Sequence, residues 1–213
     1  MDVIELIEFR RLDPNCPVMI ADVPKPIMKE IDEWVKVCRE IKNHPLSQLK
    51  AHENAAYNYR SVNDAREWRN SSSYSIGNTY QCSVPSHLVQ NCFWLAWTLR
   101  ACAKYWGNGN THRRFRLREW KGHFDMHDMW INFAYKGDCN LVHRHGGDYS
   151  GVLYYKNHKH PTLFDDYGIG YEGWNGTMAL WPSDTNHHVE VQKANKERIT
   201  FAFNISQDVK KES

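Results

Sequence analysis

The sequence has no long apolar run, no C-x-x-C cysteine pair and almost no net charge. No segment approaches the roughly 18 consecutive apolar residues that a membrane-spanning helix needs, so we expect no membrane partner. The mean hydropathy of -0.71 agrees with this expectation. Residues 1–8 carry neither a basic cluster nor an uninterrupted apolar core and therefore do not predict a secretory signal.

The cysteines are spread along the chain without the spacing of a metal site. They are Cys16, Cys38, Cys82, Cys92, Cys102 and Cys139. Structural zinc sites usually contain close cysteine pairs, which this sequence lacks. The sequence therefore predicts reduced thiols in a cytoplasmic protein.

The composition is that of one folded domain, and its charge says little about a partner. Hydrophobic residues make up 41% and aromatic residues 13% of the 213 residues, so we predict a single domain over residues 1–213. The net charge is +2. Residues 114–118 alternate arginine with apolar residues, which predicts a strand with a solvated basic face or, alternatively, a patch that steers an anionic substrate or nucleic acid. Nucleic acid is the least expected partner, and nothing in the sequence indicates an oligomeric state.

Residues 1–112 form a helix-rich half. A first strand is expected at 3–9 and a short second one at 18–20. A helix begins at Pro24–Pro26 and ends before Pro45, because apolar residues recur at helical spacing between these prolines. A second helix is expected from Pro85 to Gly107. The polar segment 46–82 is either a lid or a region that contains an unrecognised element.

Residues 113–206 form a strand-rich half. Short strands are expected at 113–120, 127–135, 149–156, 162–165, 177–181, 187–191 and 197–205, with turns between them and a glycine-rich turn at 168–176. Many short strands separated by regular turns predict a β-sandwich or barrel. The fold class is therefore α+β and mainly β.

Histidines in the strand-rich half predict a metal site. His143 and His145 are two residues apart at the end of a strand, where their side chains point to one face. His187 lies on a later predicted strand. Two neighbouring ligands and one remote ligand form a three-point site that leaves coordination positions open. Imidazole suits iron, zinc, copper or nickel, so the residues do not select the metal.

Three motifs in this order carry a resemblance to a known family. They are H-x-H-x-x-x-x-S-G-V-x-Y-Y from His143, P-S-x-x-x-H-x-V from Pro182, and E-R-I-x-F-x-F-N from Glu197. Together they resemble the 2-oxoglutarate/Fe(II)-dependent oxygenases of bacteria and their viruses, within the wider group of prolyl 4-hydroxylase-like dioxygenases. The resemblance covers about residues 128–206.

The resemblance implies a double-stranded β-helix, or jelly-roll, core over 113–206 with the N-terminal helices packed on one sheet. It implies Fe(II), 2-oxoglutarate and O2, with succinate and CO2 as coproducts. His187 matches the distal histidine ligand, and Arg198 matches the residue that pairs with the C5 carboxylate of 2-oxoglutarate, where a guanidinium can bind both oxygens. Thr200 and Tyr155 match residues that reach the same carboxylate.

The proximal ligand pair departs from the pattern of the wider superfamily. That pattern is H-x-D or H-x-E, whereas this chain has His143-x-His145, as its own subfamily does. Two ligand sets therefore remain: His143, His145 and His187, or a set in which Asp148 replaces one of the first two histidines. Asp125, Asp128 and Asp138 are weaker alternatives.

The resemblance predicts a dioxygenase that hydroxylates an unidentified substrate. A prolyl or other amino-acid side chain of a protein is the first expectation, and a small amino acid or metabolite is the second. One alternative is a cupin-like metalloenzyme that works without 2-oxoglutarate, and another is a non-catalytic jelly-roll binding module.

Overall fold

The computed structural model describes residues 9–43, 79–84, 98, 114–117 and 129–208. Residues 3–8 of the expected first strand, most of the segment 46–82, almost all of the expected helix at 85–107, and Asp125 and Asp128 lie outside these ranges.

The described helix, α1, spans Lys25–Asn43 and confirms the predicted first helix. Proline at the second helical position is tolerated because the first N–H groups of a helix have no partner within it. One face is buried; it carries Ile27, Ile31, Trp34, Val35 and Cys38. Polar residues cover the other face of α1. Among the described residues, no helix is long and apolar enough to cross a membrane.

Twelve strands are described. They are β1 (Arg10–Arg11), β2 (Met19–Asp22), β3 (Tyr80–Ser83), β4 (Arg114–Leu117), β5 (Met129–Ala134), β6 (Asn140–His143), β7 (Tyr149–Lys156), β8 (Thr162–Phe164), β9 (Ile169–Tyr171), β10 (Thr177–Pro182), β11 (His187–Val189) and β12 (Arg198–Asp208). The larger sheet has the order β1-β2-β10-β7-β12-β5-β3, with β4 paired to the end of β12, and the smaller sheet has the order β6-β11-β8-β9.

The larger sheet is covered by α1 on one face and by the smaller sheet on the other. Alternate residues of β12 explain this division, because successive side chains of a strand point to opposite faces. Phe201 and Phe203 belong to the core beneath α1, and Trp34 of the helix meets the Phe201 ring edge-on at 5.4 Å. Gly151 on β7 leaves room for this core, since a Cβ there would lie 2.3 Å from Cζ of Phe203.

A second core fills the space between the two sheets. Phe164 of the smaller sheet packs edge-on against Trp181 of the larger sheet, with ring centroids 5.1 Å apart. Tyr171 and Tyr154 form a similar pair at 5.4 Å. These aromatic contacts hold the sheets together face to face, and the open end of this space contains the histidines.

An ion-pair cluster fixes the start of β12 to the helix. Glu197 accepts hydrogen bonds from both Nη atoms of Arg39, at 2.9 and 2.6 Å, and from the hydroxyl of Tyr135 at 2.6 Å. Burial alone raises the pKa of Glu197, but the bonds from Arg39 and Tyr135 outweigh it and the pKa is lowered. The carboxylate of Glu197 therefore stays charged, and it fixes the chain directly before Arg198 to α1.

Besides β1, which follows the strand expected at 3–9, three strands depart from the sequence-based expectations. The turn predicted at 168–176 contains β9, which pairs with β8 despite the glycine at its centre, Gly170. The irregular segment 46–82 ends in β3, which pairs with β5. The sequence does not predict β6 as a separate strand, yet it pairs with β11. All three are three or four residues long, so tertiary pairing rather than local propensity decides them.

We expect Trp34→Ala to destabilise the protein by about 3–5 kcal/mol, because a buried aromatic side chain is lost from beneath α1 and a cavity remains. Urea unfolding followed by circular dichroism measures this change in the free energy of unfolding. Lys36→Ala is the matched control, since Lys36 lies on the exposed face of the same helix. Equal effects of the two substitutions would show that α1 does not depend on this packing.

Candidate metal centre

Strand pairing brings the histidines of the two motifs together. His143 is the last residue of β6 and His187 is the first residue of β11, and the two are direct partners in the antiparallel ladder. His145 follows two residues after His143, and its backbone N–H bonds to the carbonyl of Ser183. The three imidazoles therefore meet where the smaller sheet approaches the end of the larger one.

The three imidazoles are close enough to share one metal ion. Their ring centroids are 4.3 Å apart for His143 and His187, 4.8 Å for His143 and His145, and 5.1 Å for His145 and His187. The candidate ligand atoms all lie within 4.8 Å of one another. Among the described residues this is the group of histidine, cysteine and acidic side chains with the geometry to hold a metal.

Backbone carbonyls set the tautomers of two of these histidines. Nδ1 of His187 donates to the carbonyl of Thr185 at 3.0 Å, and Nδ1 of His143 donates to the carbonyl of Leu141 at 2.5 Å. Because Nδ1 carries the proton in each ring, the Nε2 lone pair is available to a metal.

Burial keeps His187 neutral. Its side chain is 4% exposed, and burial together with the neighbouring His143 lowers its pKa to about 3. A metal binds the neutral imidazole, so this residue is ready to coordinate at any ordinary pH. Trp181 lies edge-on to the His187 ring at 4.9 Å, and Trp130 lies 5.6 Å from the His145 ring. These indoles form a close apolar wall around the cluster.

The structure does not bring Asp148 into the histidine cluster. Asp148 is exposed. Its backbone N–H donates to the carbonyl of Ile205, and its carbonyl accepts a hydrogen bond from the N–H of Ser183. Asp138 instead accepts a hydrogen bond from the backbone N–H of Tyr135. The geometry thus assembles the all-histidine set rather than the set that includes a carboxylate.

Arg198 is a buried cation at the start of β12. It begins β12, is 3% exposed, and donates from Nε to Oδ1 of Asn157 at 2.5 Å. Burial lowers the pKa of Arg198 to about 10. Among the described residues no carboxylate forms an ion pair with it. A buried charge without a counter-charge is costly, so this site favours an anion.

Asn157 is a site residue that the sequence reasoning missed. It is fully buried, and its amide nitrogen donates to the carbonyls of Glu172 and Gly173. Carbonyls only accept, so the amide oxygen must face Arg198. Asn157 follows directly after a predicted strand in a turn rich in polar residues, and no sequence signal separates it from an ordinary turn asparagine.

Thr200 lies two residues from Arg198 and on the same face of β12. It is 2% exposed, and its Oγ1 accepts a hydrogen bond from Nδ2 of Asn132 at 3.1 Å. The structure therefore brings Arg198 and Thr200 into one interior.

Tyr155 does not share that interior, and the expectation that it reaches the same carboxylate is wrong. Its hydroxyl donates to Oδ1 of Asp32 on α1 at 2.6 Å, so it faces the helix. Its neighbour Tyr154 faces inward and donates to Oγ1 of Thr162 at 2.9 Å. Burial raises the pKa of Tyr154 to about 12, against the opposing effect of Arg198. The tyrosine beside Arg198 is therefore the preceding one.

Other histidines with described structure lie outside the cluster. His188 faces away from His187 and pairs with Asp165 at 2.8 Å. His158 and His160 donate from Nε2 to the carbonyls of Glu197 and Glu190, at 3.0 and 2.8 Å. His158 and His160 thus make local contacts from the turn that follows β7.

We expect His187→Ala to reduce Co(II) affinity by at least about 100-fold, because one of three ligands is lost from a site whose remaining pair cannot enclose the ion. Calorimetric titration with Co(II) measures this affinity. Asp148→Asn should leave it within about twofold of the unsubstituted protein. Loss of affinity in Asp148→Asn instead would restore the ligand set that contains a carboxylate.

Comparison with known proteins gives structural likeness without sequence likeness. No family model matches the sequence, and no curated protein matches it. Among solved structures, the viral collagen prolyl hydroxylase of Paramecium bursaria Chlorella virus-1 is similar with a TM-score of 0.51 and 12% identity, covering 95% of this chain and 98% of that one.

Two further structures carry 2-oxoglutarate. The dioxygenase for auxin oxidation 1 of Arabidopsis thaliana, in complex with 2-oxoglutarate, has a TM-score of 0.52 and 10% identity over 91% of this chain and 84% of that one. A full-length protein of Neurospora crassa, in complex with alpha-ketoglutarate, has a TM-score of 0.54 and 9% identity over 90% and 76%. At such identities the likeness establishes that this chain shares a fold with these proteins.

Proposed function

We propose that this protein is an Fe(II)- and 2-oxoglutarate-dependent dioxygenase that hydroxylates a carbon atom of its substrate. The observation that carries the proposal is the buried guanidinium of Arg198, which forms no ion pair with any carboxylate in the described part of the chain. It lies on the inner face of β12, and the three-histidine cluster packs against Trp181 of the core between the two sheets. A metal site alone would not require a buried cation, whereas a dicarboxylate bound between the metal and Arg198 would neutralise it.

We propose that the two-sheet sandwich is a double-stranded β-helix. Of the strands β5 to β12, the larger sheet takes β5, β7, β10 and β12, and the smaller takes β6, β8, β9 and β11. Eight antiparallel strands divided in this way between two facing sheets are typical of a jelly roll. The shared fold of the hydroxylase and dioxygenase structures supports the same architecture.

The histidine cluster fits a single divalent iron ion. His143, His145 and His187 offer three neutral nitrogen donors from one side, which leaves coordination positions for other ligands. Because this ligand set brings no negative charge, the loaded site would be more positive than a site with two histidines and a carboxylate. An anionic cosubstrate with two carboxylates would offset that charge, so binding of the metal would strengthen binding of the cosubstrate and the reverse.

The Arg198 site fits the far carboxylate of 2-oxoglutarate. Nε of Arg198 donates to Asn157, and within the described part of the chain no acceptor is recorded for its Nη atoms, which can therefore donate to a carboxylate. Thr200, on the same face, carries a hydroxyl that can donate to the same group. A cupin-like enzyme without 2-oxoglutarate, or a binding module, leaves this buried charge unexplained.

The residues of this chain would position the reactants and exclude water. Bound iron and 2-oxoglutarate would supply the oxidising chemistry, with succinate, CO2 and an alcohol as products. Trp130 and Trp181 pack beside the ligand histidines and keep their rings oriented. Arg198 and Thr200 fix one end of the cosubstrate, while Tyr154 and Phe164 line a largely apolar interior.

For the substrate we propose an amino-acid side chain, with a prolyl residue of a protein as the first candidate. The support is the shared fold with a collagen prolyl hydroxylase. A small amino acid or metabolite is the second candidate. A cytoplasmic location is supported by the cysteines with described structure, which are all buried free thiols: Cys16, Cys38, Cys82 and Cys139.

We expect the protein with Fe(II) and 2-oxoglutarate, mixed without oxygen, to show a weak visible charge-transfer absorption. Admission of air should then yield succinate even without the substrate, at a slow rate. Anaerobic absorption spectroscopy and chromatographic measurement of succinate test both expectations. Absence of the band together with absence of succinate would refute the proposed function.

Arg198→Ala should weaken 2-oxoglutarate binding by at least about 100-fold while leaving Fe(II) affinity within about threefold, because the guanidinium contacts the cosubstrate and not the metal. Tyr155→Phe is the control on the helix side of the sheet and should leave both affinities unchanged. Anaerobic titrations, first with metal and then with 2-oxoglutarate, separate the two affinities. Equal loss of iron in Arg198→Ala would contradict the role given to Arg198.

A further inference from the structure

A chain of hydrogen bonds connects Trp130, which packs beside the histidine cluster, to Thr200. Nε1 of Trp130 donates to Oδ1 of Asn132 at 3.1 Å, and Nδ2 of Asn132 donates to Oγ1 of Thr200 at 3.1 Å. Asn132 and Thr200 are cross-strand partners on β5 and β12, and all three side chains are buried. The first member of this chain, Trp130, lies beside the ring of His145.

The chemistry of its first member fixes the direction of this chain. An indole N–H can only donate, so Trp130 requires the oxygen of the Asn132 amide. The amide nitrogen then faces Thr200 and can only donate to it. Thr200 Oγ1 is thereby an acceptor for Asn132, and its own O–H proton is left to donate elsewhere.

The hydroxyl proton of Thr200 has no acceptor among the described residues. The hydrogen bond from Asn132 is the contact that the structure records for Oγ1, and Arg198 on the same face is likewise without a carboxylate. A hydroxyl donor next to a cation that has no ion pair among the described residues is suited to an anion. The adjacent residues Ala202 and Tyr154 offer no charged alternative on this face.

We infer that Asn132 is a positioning residue that sets Thr200 as a hydrogen-bond donor to the far carboxylate of the cosubstrate. The inference rests on the proposed function and adds a residue that acts through Thr200 rather than by contact with the ligand. Asn132 both holds the threonine rotamer and polarises its hydroxyl, since a hydroxyl that accepts one hydrogen bond donates the next more strongly. The same amide satisfies Trp130, so cosubstrate binding and the wall beside His145 share one support.

Two ligands of matched shape separate this role from a general effect on folding. 2-Oxopentanoate has the 2-oxo acid group and chain length of 2-oxoglutarate but ends in a methyl group instead of the far carboxylate. Binding of each to the Mn(II)-loaded protein without oxygen is measured by calorimetry. In Asn132→Leu we expect affinity for 2-oxoglutarate to fall roughly tenfold, and affinity for 2-oxopentanoate to change less than twofold.

A double-substitution cycle tests whether Asn132 acts through Thr200. Thr200→Val removes the hydroxyl, so adding Asn132→Leu to it should cause no further loss of 2-oxoglutarate affinity. Equal loss for both ligands, or losses that multiply in the double variant, would overturn the role of Asn132. If Asn132→Leu does not fold, Asn132→Asp replaces it; this variant keeps an acceptor for Trp130 but draws the Thr200 proton toward itself, and the same two criteria apply.

The unsubstituted protein distinguishes failure of this inference from failure of the proposed function. It should bind 2-oxoglutarate at least tenfold more tightly than 2-oxopentanoate. If it shows no preference, the carboxylate site at Arg198 is wrong and the inference falls with it. If it shows the preference and Asn132→Leu retains it, only the role of Asn132 is wrong.

Discussion

Strand β12 is buried on both of its faces, and this burial dictates what the neighbouring elements can be. Side chains of a strand alternate, so one set of residues must satisfy the helix and the other must satisfy the space between the sheets. Phe201 and Phe203 pack beneath α1, whereas Thr200 and Asn204 point the other way. A buried polar group on the inner face is stabilised by a partner, and Thr200 and Asn204 each accept a hydrogen bond there, from Asn132 and Ser150.

Electrostatics divide the interior into two parts. At the histidine end, burial keeps His187 neutral and therefore ready to coordinate a metal. At the other end, Arg198 stays protonated because even a pKa lowered to about 10 lies well above neutral pH. The neutral nitrogen cluster would bind a metal cation, and the buried guanidinium would bind an anion. A ligand that bridges the two sites is therefore suited to this interior. 2-Oxoglutarate carries a metal-binding group at one end and a carboxylate at the other.

Asparagine amides set the direction of donors near this ligand site. Asn157 is oriented by two backbone carbonyls and accepts from Arg198, and Asn132 is oriented by an indole and donates to Thr200. In both cases a group with only one hydrogen-bonding role fixes the amide, and the amide then orients a residue of the proposed cosubstrate site. Such buried networks hold a site rigid only when every member is satisfied.

The first helix, most of the later strands and the candidate metal residues follow from the sequence alone, because periodicity and short motifs are local properties. The sequence could not decide whether Asp148 replaces one of His143 and His145, since that choice depends on how the turn after β6 meets Ser183. It also pointed to Tyr155 where the structure places Tyr154, because a shift of one residue reverses the face of a strand and no local signal fixed that face. Asn132 lies 68 residues from Thr200, and Asn157 lies 41 residues from Arg198. Only the pairing of distant strands and the turn that covers Arg198 bring these side chains together, so their roles are decided by the tertiary structure.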